Sequence, residues 1–311
     1  MRKVPALIAT AGLVLATLTA CSPGSAAEDC TAPVSSGDAS DLVSVTGEFG
    51  SAPTVDFPFP LKTATTERSE IIEGTGPGLV EGQKVQVELS VYDGTTGAEI
   101  QASAYDDTSA QTYAVGTDMP GALTDGLLCA QVGSRIAVVS APGAENTSVD
   151  SADSLVLVID VVKSYLTRAD GAAQLPVAGL PAVVLAEDGT PGITVPSGTP
   201  PTDLEVAVLQ KGDGPEVVQG DNTMIHFTGV TWKDKTMFGS TWADGAPVSV
   251  VADENAEDKA ISTLGQALIG QTVGSQILVV IPPELAYGSE STGQFPADST
   301  LVFVVDILGV E

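Results

Sequence analysis

Along the second half of the chain, short runs of β-branched and aromatic residues alternate with clusters of glycine, proline and acidic residues. The runs are TMIHFTGV at 223–230, PVSVVA at 247–252, SQILVVI at 275–281 and STLVFVVDIL at 299–308. Apolar runs of this length, bounded by turn residues, predict strands. One stretch has a different period. In ISTLGQALIG, Ile261, Leu264 and Leu268 fall at i, i+3 and i+7, which lines one face of a short helix with apolar side chains. An antiparallel sheet with a single helix packed on it is the expected core, an α+β arrangement.

The pattern is written twice. Residues 70–89 read EIIEGTGPGLVEGQKVQVEL and residues 208–227 read VLQKGDGPEVVQGDNTMIHF, so that Gly74, Gly76, Pro77 and Gly82 fall on Gly212, Gly214, Pro215 and Gly220. Glycine and proline each impose a particular backbone geometry, so matched turn residues in register point to one unit used twice. The correspondence continues between 123–142 and 264–283, and between 153–162 and 299–308. These matches place one domain at 42–165 and a second at 201–311. The Pro/Gly-rich stretch 166–200 connects them. Within it PAVVLAEDGTPGITVP echoes residues 41–58, so part of the connector is expected to pack on the second domain.

Three motifs then occur in order: IHFTGVTWKDKTMFGST at 225–241, ALIGQTVGSQILVVIPPELAYG at 267–288 and FPADSTLVFVVDILGV at 295–310. Together they resemble the FKBP-type peptidyl-prolyl cis-trans isomerases over residues 203–311. The resemblance implies two FKBP-like domains, each a curved antiparallel β-sheet wrapped around one short α-helix. It also implies an apolar, proline-sized pocket in the second, lined by Phe227, Phe238, Val248, Ile261, Leu264, Tyr287, Phe295 and Phe303. The Tyr287 hydroxyl and the Ile261 backbone N–H are the implied donors to a substrate's carbonyls. The implied partners are proline-containing polypeptides, with no cofactor and no metal. Gly239 stands where the family has Asp, and Leu264 where it has Trp.

The first domain has Leu89, Ile100, Leu123 and Leu157 at the positions of Phe227, Phe238, Leu264 and Phe303, and PGAENTS in place of PPELAYG. It reads as a degenerate, inactive copy. A non-catalytic chaperone or protein-binding lipoprotein built on the same cleft is the alternative function.

Residues 1–20 have a basic start, an apolar run and small residues before Cys21, the order of a secretory signal. Leu18-Thr19-Ala20-Cys21 resembles a bacterial lipobox, which would put a lipid on Cys21 and anchor the protein outside the cell membrane. An ordinary signal peptide with a cysteine nearby is the other reading. Residues 21–41, small and acidic, read as a flexible tether. Cys30 and Cys129 are left as a possible disulfide in an oxidising compartment, with free buried thiols as the alternative.

The formal net charge is −28, and the leader's Arg2 and Lys3 are two of the twelve cations. Such acidity repels phosphate backbones and argues against nucleic acid. No GxSxG, HExxH or P-loop spacing occurs. The single histidine, His226, alternates with Phe227 and is expected to face outward into solvent. The acidic run Asp253, Glu254, Glu257 and Asp258 lacks the alternating ligands and glycine of a calcium loop and reads as solvated. Trp232 and Trp242 read as rim or core packing. Nothing in the sequence bears on oligomeric state.

Overall fold

A computed structural model of the protein describes residues 30–106, 109–116, 119–143, 154–254 and 259–311. Cys21 and the leader, Glu257 and Asp258, and the side chain of Ile261 lie outside the described residues.

The chain opens with a hairpin, β1 (Ser44–Thr46) and β2 (Thr54–Asp56), followed by β3 (Glu67–Ile72), β4 (Lys84–Asp93), β5 (Glu99–Ala102), β6 (Gln111–Ala114), helix α1 (Gly121–Leu127), β7 (Arg135–Val139) and β8 (Leu155–Ser164). It continues through β9 (Ala172–Ala173), the hairpin β10 (Ala182–Leu185) and β11 (Pro191–Thr194), β12 (Glu205–Lys211), β13 (Asn222–Thr231) and β14 (Met237–Ser240). A one-turn helix α2 (Thr241–Asp244), β15 (Val248–Val251), helix α3 (Lys259–Leu268), β16 (Gln276–Ile281) and β17 (Leu301–Val310) complete it.

Two antiparallel sheets share one connectivity. The first has the order β3-β7-β8-β4-β5 with β6 also on β4; the second has β12-β16-β17-β13-β14 with β15 also on β13 and β9 added at its edge. Their irregularities coincide as well. The register shifts at Glu70/Ile72, Gln86/Val87 and Val91/Tyr92 in the first sheet, and at Val208/Gln210, Met224/Ile225 and Gly229/Val230 in the second. A bulge re-aims the side chains that follow it, so matched bulges carry the same face alternation through both sheets.

The repeated glycines have a physical reason. A Cβ on Gly74 would lie 2.7 Å from the Val132 carbonyl oxygen, and one on Gly212 would lie 2.2 Å from that of Val273. No side chain fits there.

Each sheet is buried on both faces. In the second, Ile277, Val279, Phe303, Val305 and Ile307 face α3, whereas Leu278, Val280, Val302 and Val304 pack under Val183, Ile193 and Val195 of the β10–β11 segment. The first sheet has Ile136, Val138 and Ile159 towards α1, and Ala137, Val139 and Val156 beneath Val43, Val45, Val55 and Phe57 of the β1–β2 segment. Burial on both faces explains why SQILVVI and STLVFVVDIL read as nearly continuous apolar runs rather than clean alternations.

The tether expected over 21–41 is ordered from Cys30 onward. Cys30 is joined to Cys129 by a disulfide, with the Cα atoms 5.4 Å apart. The Glu67 carboxylate accepts the N–H groups of Ala39 and Ser40 at 2.8 and 3.0 Å, and Arg68 N–H donates to the Ser35 carbonyl. These bonds hold the segment along the open edge of β3, where unpaired backbone groups would otherwise face water.

Candidate functional site

The aromatic residues of the second sheet converge on its helix-facing side. Phe227 of β13 follows Ile225 on that face, and Phe303 of β17 lies opposite Gly229 in the β13–β17 register. Phe238 is the extra residue at the β14 bulge. Its ring lies over Gly229, where a Cβ would come within 2.5 Å of Phe238 Cε2. Phe295 and Tyr287 come from the connection between β16 and β17.

The rings form a chain. Centroids lie 5.9 Å apart for Phe227–Phe303, 5.4 Å for Phe303–Phe238, 5.1 Å for Phe238–Phe295 and 5.6 Å for Phe295–Tyr287, with interplanar angles from 52° to 81°. Such edge-on contacts favour the rings' quadrupoles. Leu264 of α3 is buried in the same apolar cluster. Val248 is 40% exposed and stands outside that cluster, which Val250, two residues on, packs against. Ile261 lies near the start of α3.

Tyr287 follows a stiff turn. Pro282 and Pro283 begin a single 3-10 turn, Pro283–Leu285, in which missing donors do no harm because the first N–H groups of a helix have no internal acceptor. Ala286 N–H and Gly288 N–H both donate to the Pro283 carbonyl, at 3.0 and 2.8 Å, and Gly288 adopts a φ of +55°.

His226 does point to the face opposite the rings, but it is buried rather than solvated. Its ring stacks on Trp242 at 4.3 Å and 23°. A groove of about 210 Å³ runs past both rings and is also lined by Glu81, Lys84 and Asp188. Phe227 N–H donates to Thr241 Oγ1 at 2.8 Å. The Thr241 hydroxyl is closer to His226 Nδ1, 2.8 Å, than to the Phe227 carbonyl, 3.3 Å. We assign its proton to Nδ1, which leaves the neutral imidazole's own proton on Nε2.

Burial lowers the His226 pKa to about 4. The unfolded chain therefore binds a proton that the folded chain refuses between the ordinary histidine value near 6.5 and about 4. Stability is expected to fall as pH drops through that window, and His226→Asn is expected to remove the slope in denaturation midpoints measured from pH 7 to pH 4. Asp306, whose carboxyl is raised by burial, titrates with the opposite sign near the acid end, so the difference between the two proteins is the quantity to read.

Comparison with known proteins places the second sheet in a family. The family model for FKBP-type peptidyl-prolyl cis-trans isomerases matches residues 214–308. An FK506-binding protein of Streptomyces anulatus is 31% identical over 122 residues, which cover 39% of this chain and 96% of that protein. The chain belongs to the FKBP-type peptidyl-prolyl cis-trans isomerases. A probable FK506-binding protein of Corynebacterium glutamicum is 30% identical over 118 residues, covering 38% of this chain and 96% of its own length. Among solved structures, the three FKBP domains of wheat FKBP73 align with 78% of this chain, covering 94% of that chain, at 19% identity and a TM-score of 0.33.

The FKBP match falls on the second sheet, and the first differs where it matters. Ile100 occupies the bulge of β5 and is 48% exposed; Val91 takes the place of Gly229. Gly229, whose missing side chain makes room for the Phe238 ring, is the position among the rings that the sequence motifs did not single out. Its signal was present, because a lone glycine inside a strand marks a close approach by another group.

The remaining candidates have structural partners. Trp232 is buried against the β10–β11 segment and donates its indole N–H to the Gly198 carbonyl at 3.0 Å. Asp253 accepts from the Gln219 amide at 2.7 Å, and among the described residues no group of three or more potential metal ligands occurs.

Proposed function

We propose that residues 201–311 catalyse rotation about X–Pro bonds in secreted or envelope polypeptides, at the cleft formed by the five rings and Leu264. Residues 42–165 serve as a non-catalytic partner unit. The observation that carries this reading is the chain of rings ending in Tyr287, set against the aliphatic residues at the same positions of the first sheet.

Amide resonance sets a barrier of about 18–20 kcal/mol to this rotation. No nucleophile is required. Rotation breaks conjugation, so a site gains rate by holding the twisted amide better than the planar one. The rings and Leu264 seat the pyrrolidine and exclude water, which disfavours the more polar planar form. The Tyr287 hydroxyl and the Ile261 N–H hold the flanking carbonyls in one orientation. Gly239 carries no carboxylate, and a Cβ there would touch the Phe227 ring at an ordinary 3.5 Å, so this part of the cleft is wholly apolar.

Placement outside the cell membrane, through a lipid on Cys21, belongs to the same proposal. It rests on the leader's pattern and agrees with a disulfide between Cys30 and Cys129.

The test is a proline-isomerisation assay on the full chain. Tyr287→Phe is expected to lower kcat/KM about tenfold, the worth of one oriented hydrogen bond. Unchanged turnover would remove Tyr287 from the site. The mass of the protein extracted from membranes checks the anchor, since an unlipidated mature chain would contradict it.

A further inference from the structure

One hydrogen bond at the proposed site is not explained by ring packing. Thr263 of α3 is 7% exposed, and its hydroxyl donates to the Leu285 carbonyl at 2.7 Å. Leu285 ends the 3-10 turn, two residues before Tyr287, and Ala286 between them has φ −124° and ψ −119°, outside both helix and strand. The backbone therefore bends sharply between the tethered carbonyl and the tyrosine. On the other side of Tyr287, the Gly288 carbonyl accepts Asp298 N–H at 2.7 Å. Tyr287 is thus flanked by two anchored carbonyls, and the upstream anchor comes from the helix that also supplies Leu264.

The first sheet offers an internal comparison. Ala122 of α1, immediately before Leu123, occupies the place of Thr263, immediately before Leu264. The hydroxyl and the tyrosine are absent together.

We infer that Thr263 is a positioning residue for Tyr287, fixing the distance between the phenol and the helix side of the cleft through the Leu285 carbonyl. The inference rests on the role proposed for Tyr287. Thr263 does not touch the substrate; it sets where the hydroxyl that does so can stand.

The experiment is a double-mutant cycle on the full chain, measuring kcat/KM for an X–Pro peptide. Thr263→Val keeps the β-branched shape and removes the donor, and is expected to lower kcat/KM about three- to tenfold. Thr263→Ser is expected to restore it to within about twofold. In a Tyr287→Phe background, Thr263→Val is expected to add no further loss. An equal loss in both backgrounds, or no loss in the native background while Tyr287→Phe is impaired, overturns the inference and leaves the Tyr287 reading intact. An unimpaired Tyr287→Phe overturns both. Amide hydrogen exchange at residues 286–288 reads the tether without turnover, and is expected to quicken in Thr263→Val and stay unchanged in Tyr287→Phe. Unchanged exchange in Thr263→Val would count against the tether even if that variant folds poorly enough to obscure kinetics.

Discussion

Arg135→Ala is expected to destabilise the first sheet by about 3–5 kcal/mol, the usual result of stripping the partner from a buried charge. The side chain is fully buried and meets Asp160 through two bonds, Nε to Oδ1 at 2.6 Å and Nη2 to Oδ2 at 2.7 Å. The guanidinium also donates to the carbonyls of Gly47, Glu48 and Ser51, the turn between β1 and β2. Asp160 in turn accepts Gly50 N–H at 3.0 Å. One ion pair therefore pins the hairpin to the outer face of the sheet. Its bond to Asp160 holds the guanidinium's pKa above the ordinary arginine value.

In the second sheet Gln276 stands at the place of Arg135 and donates to Asp306 Oδ1 at 2.7 Å, and the N–H of Ala169, in the connector ahead of β9, donates to Oδ2 at 2.8 Å, so the aspartate there ties the connector to the sheet. Urea titration of Arg135→Ala should show an early transition of the first sheet, with isomerase turnover unchanged. Replacing both partners by apolar residues, Arg135→Met with Asp160→Leu, should recover much of the loss, because no charge is then left unpaired. A loss under about 1 kcal/mol for the single variant would mean that water reaches Asp160 and that the hairpin is held by its apolar residues alone.

The two Asp-centred locks show what sequence could and could not reveal. The turn glycines and prolines were legible because each occupies a backbone geometry that few other residues tolerate, and their register exposed the repeat. The strands and α3 were legible from their periods. The hairpins were not, since Ser44–Thr46 and Thr54–Asp56 are three residues each and sit among glycine and proline. What the first of them covers was hidden for the same reason, whereas the echo of 41–58 in the connector did place the second against its sheet, where Val183, Ile193 and Val195 pack on Leu278, Val280, Val302 and Val304. Alternation along β13 gave the face of His226 correctly, but not the Trp242 ring that buries it, because α2 is placed by tertiary packing. The ordered segment from Cys30 looked like a tether by composition; Glu67 and Cys129, distant in sequence, hold it in place.

Phe238→Ala is expected to lower kcat/KM about 30- to 100-fold, or about 2–3 kcal/mol of contact with the bound proline ring and its neighbours. Phe238 is only partly buried and links Phe303 to Phe295, so its removal opens the middle of the ring chain while Leu264, Phe303 and Phe295 remain buried. Folding should survive, and melting curves check that. The same site can be disturbed without altering any ring. In Gly229→Ala the new methyl would stand 2.5 Å from Phe238 Cε2 and Cζ, too close to keep, so the ring must swing away from the strand. Its loss of activity should approach that of Phe238→Ala. Gly239→Ala is the control, since a methyl there meets Phe227 at 3.5 Å and should leave turnover within about twofold. The contrast between two glycines of one strand pair separates ring geometry from backbone flexibility. The first sheet has Val91 in the place of Gly229 and Ile100 in the place of the ring. Native turnover in Phe238→Ala would mean that the aromatic chain is ordinary core and that the proline is held elsewhere.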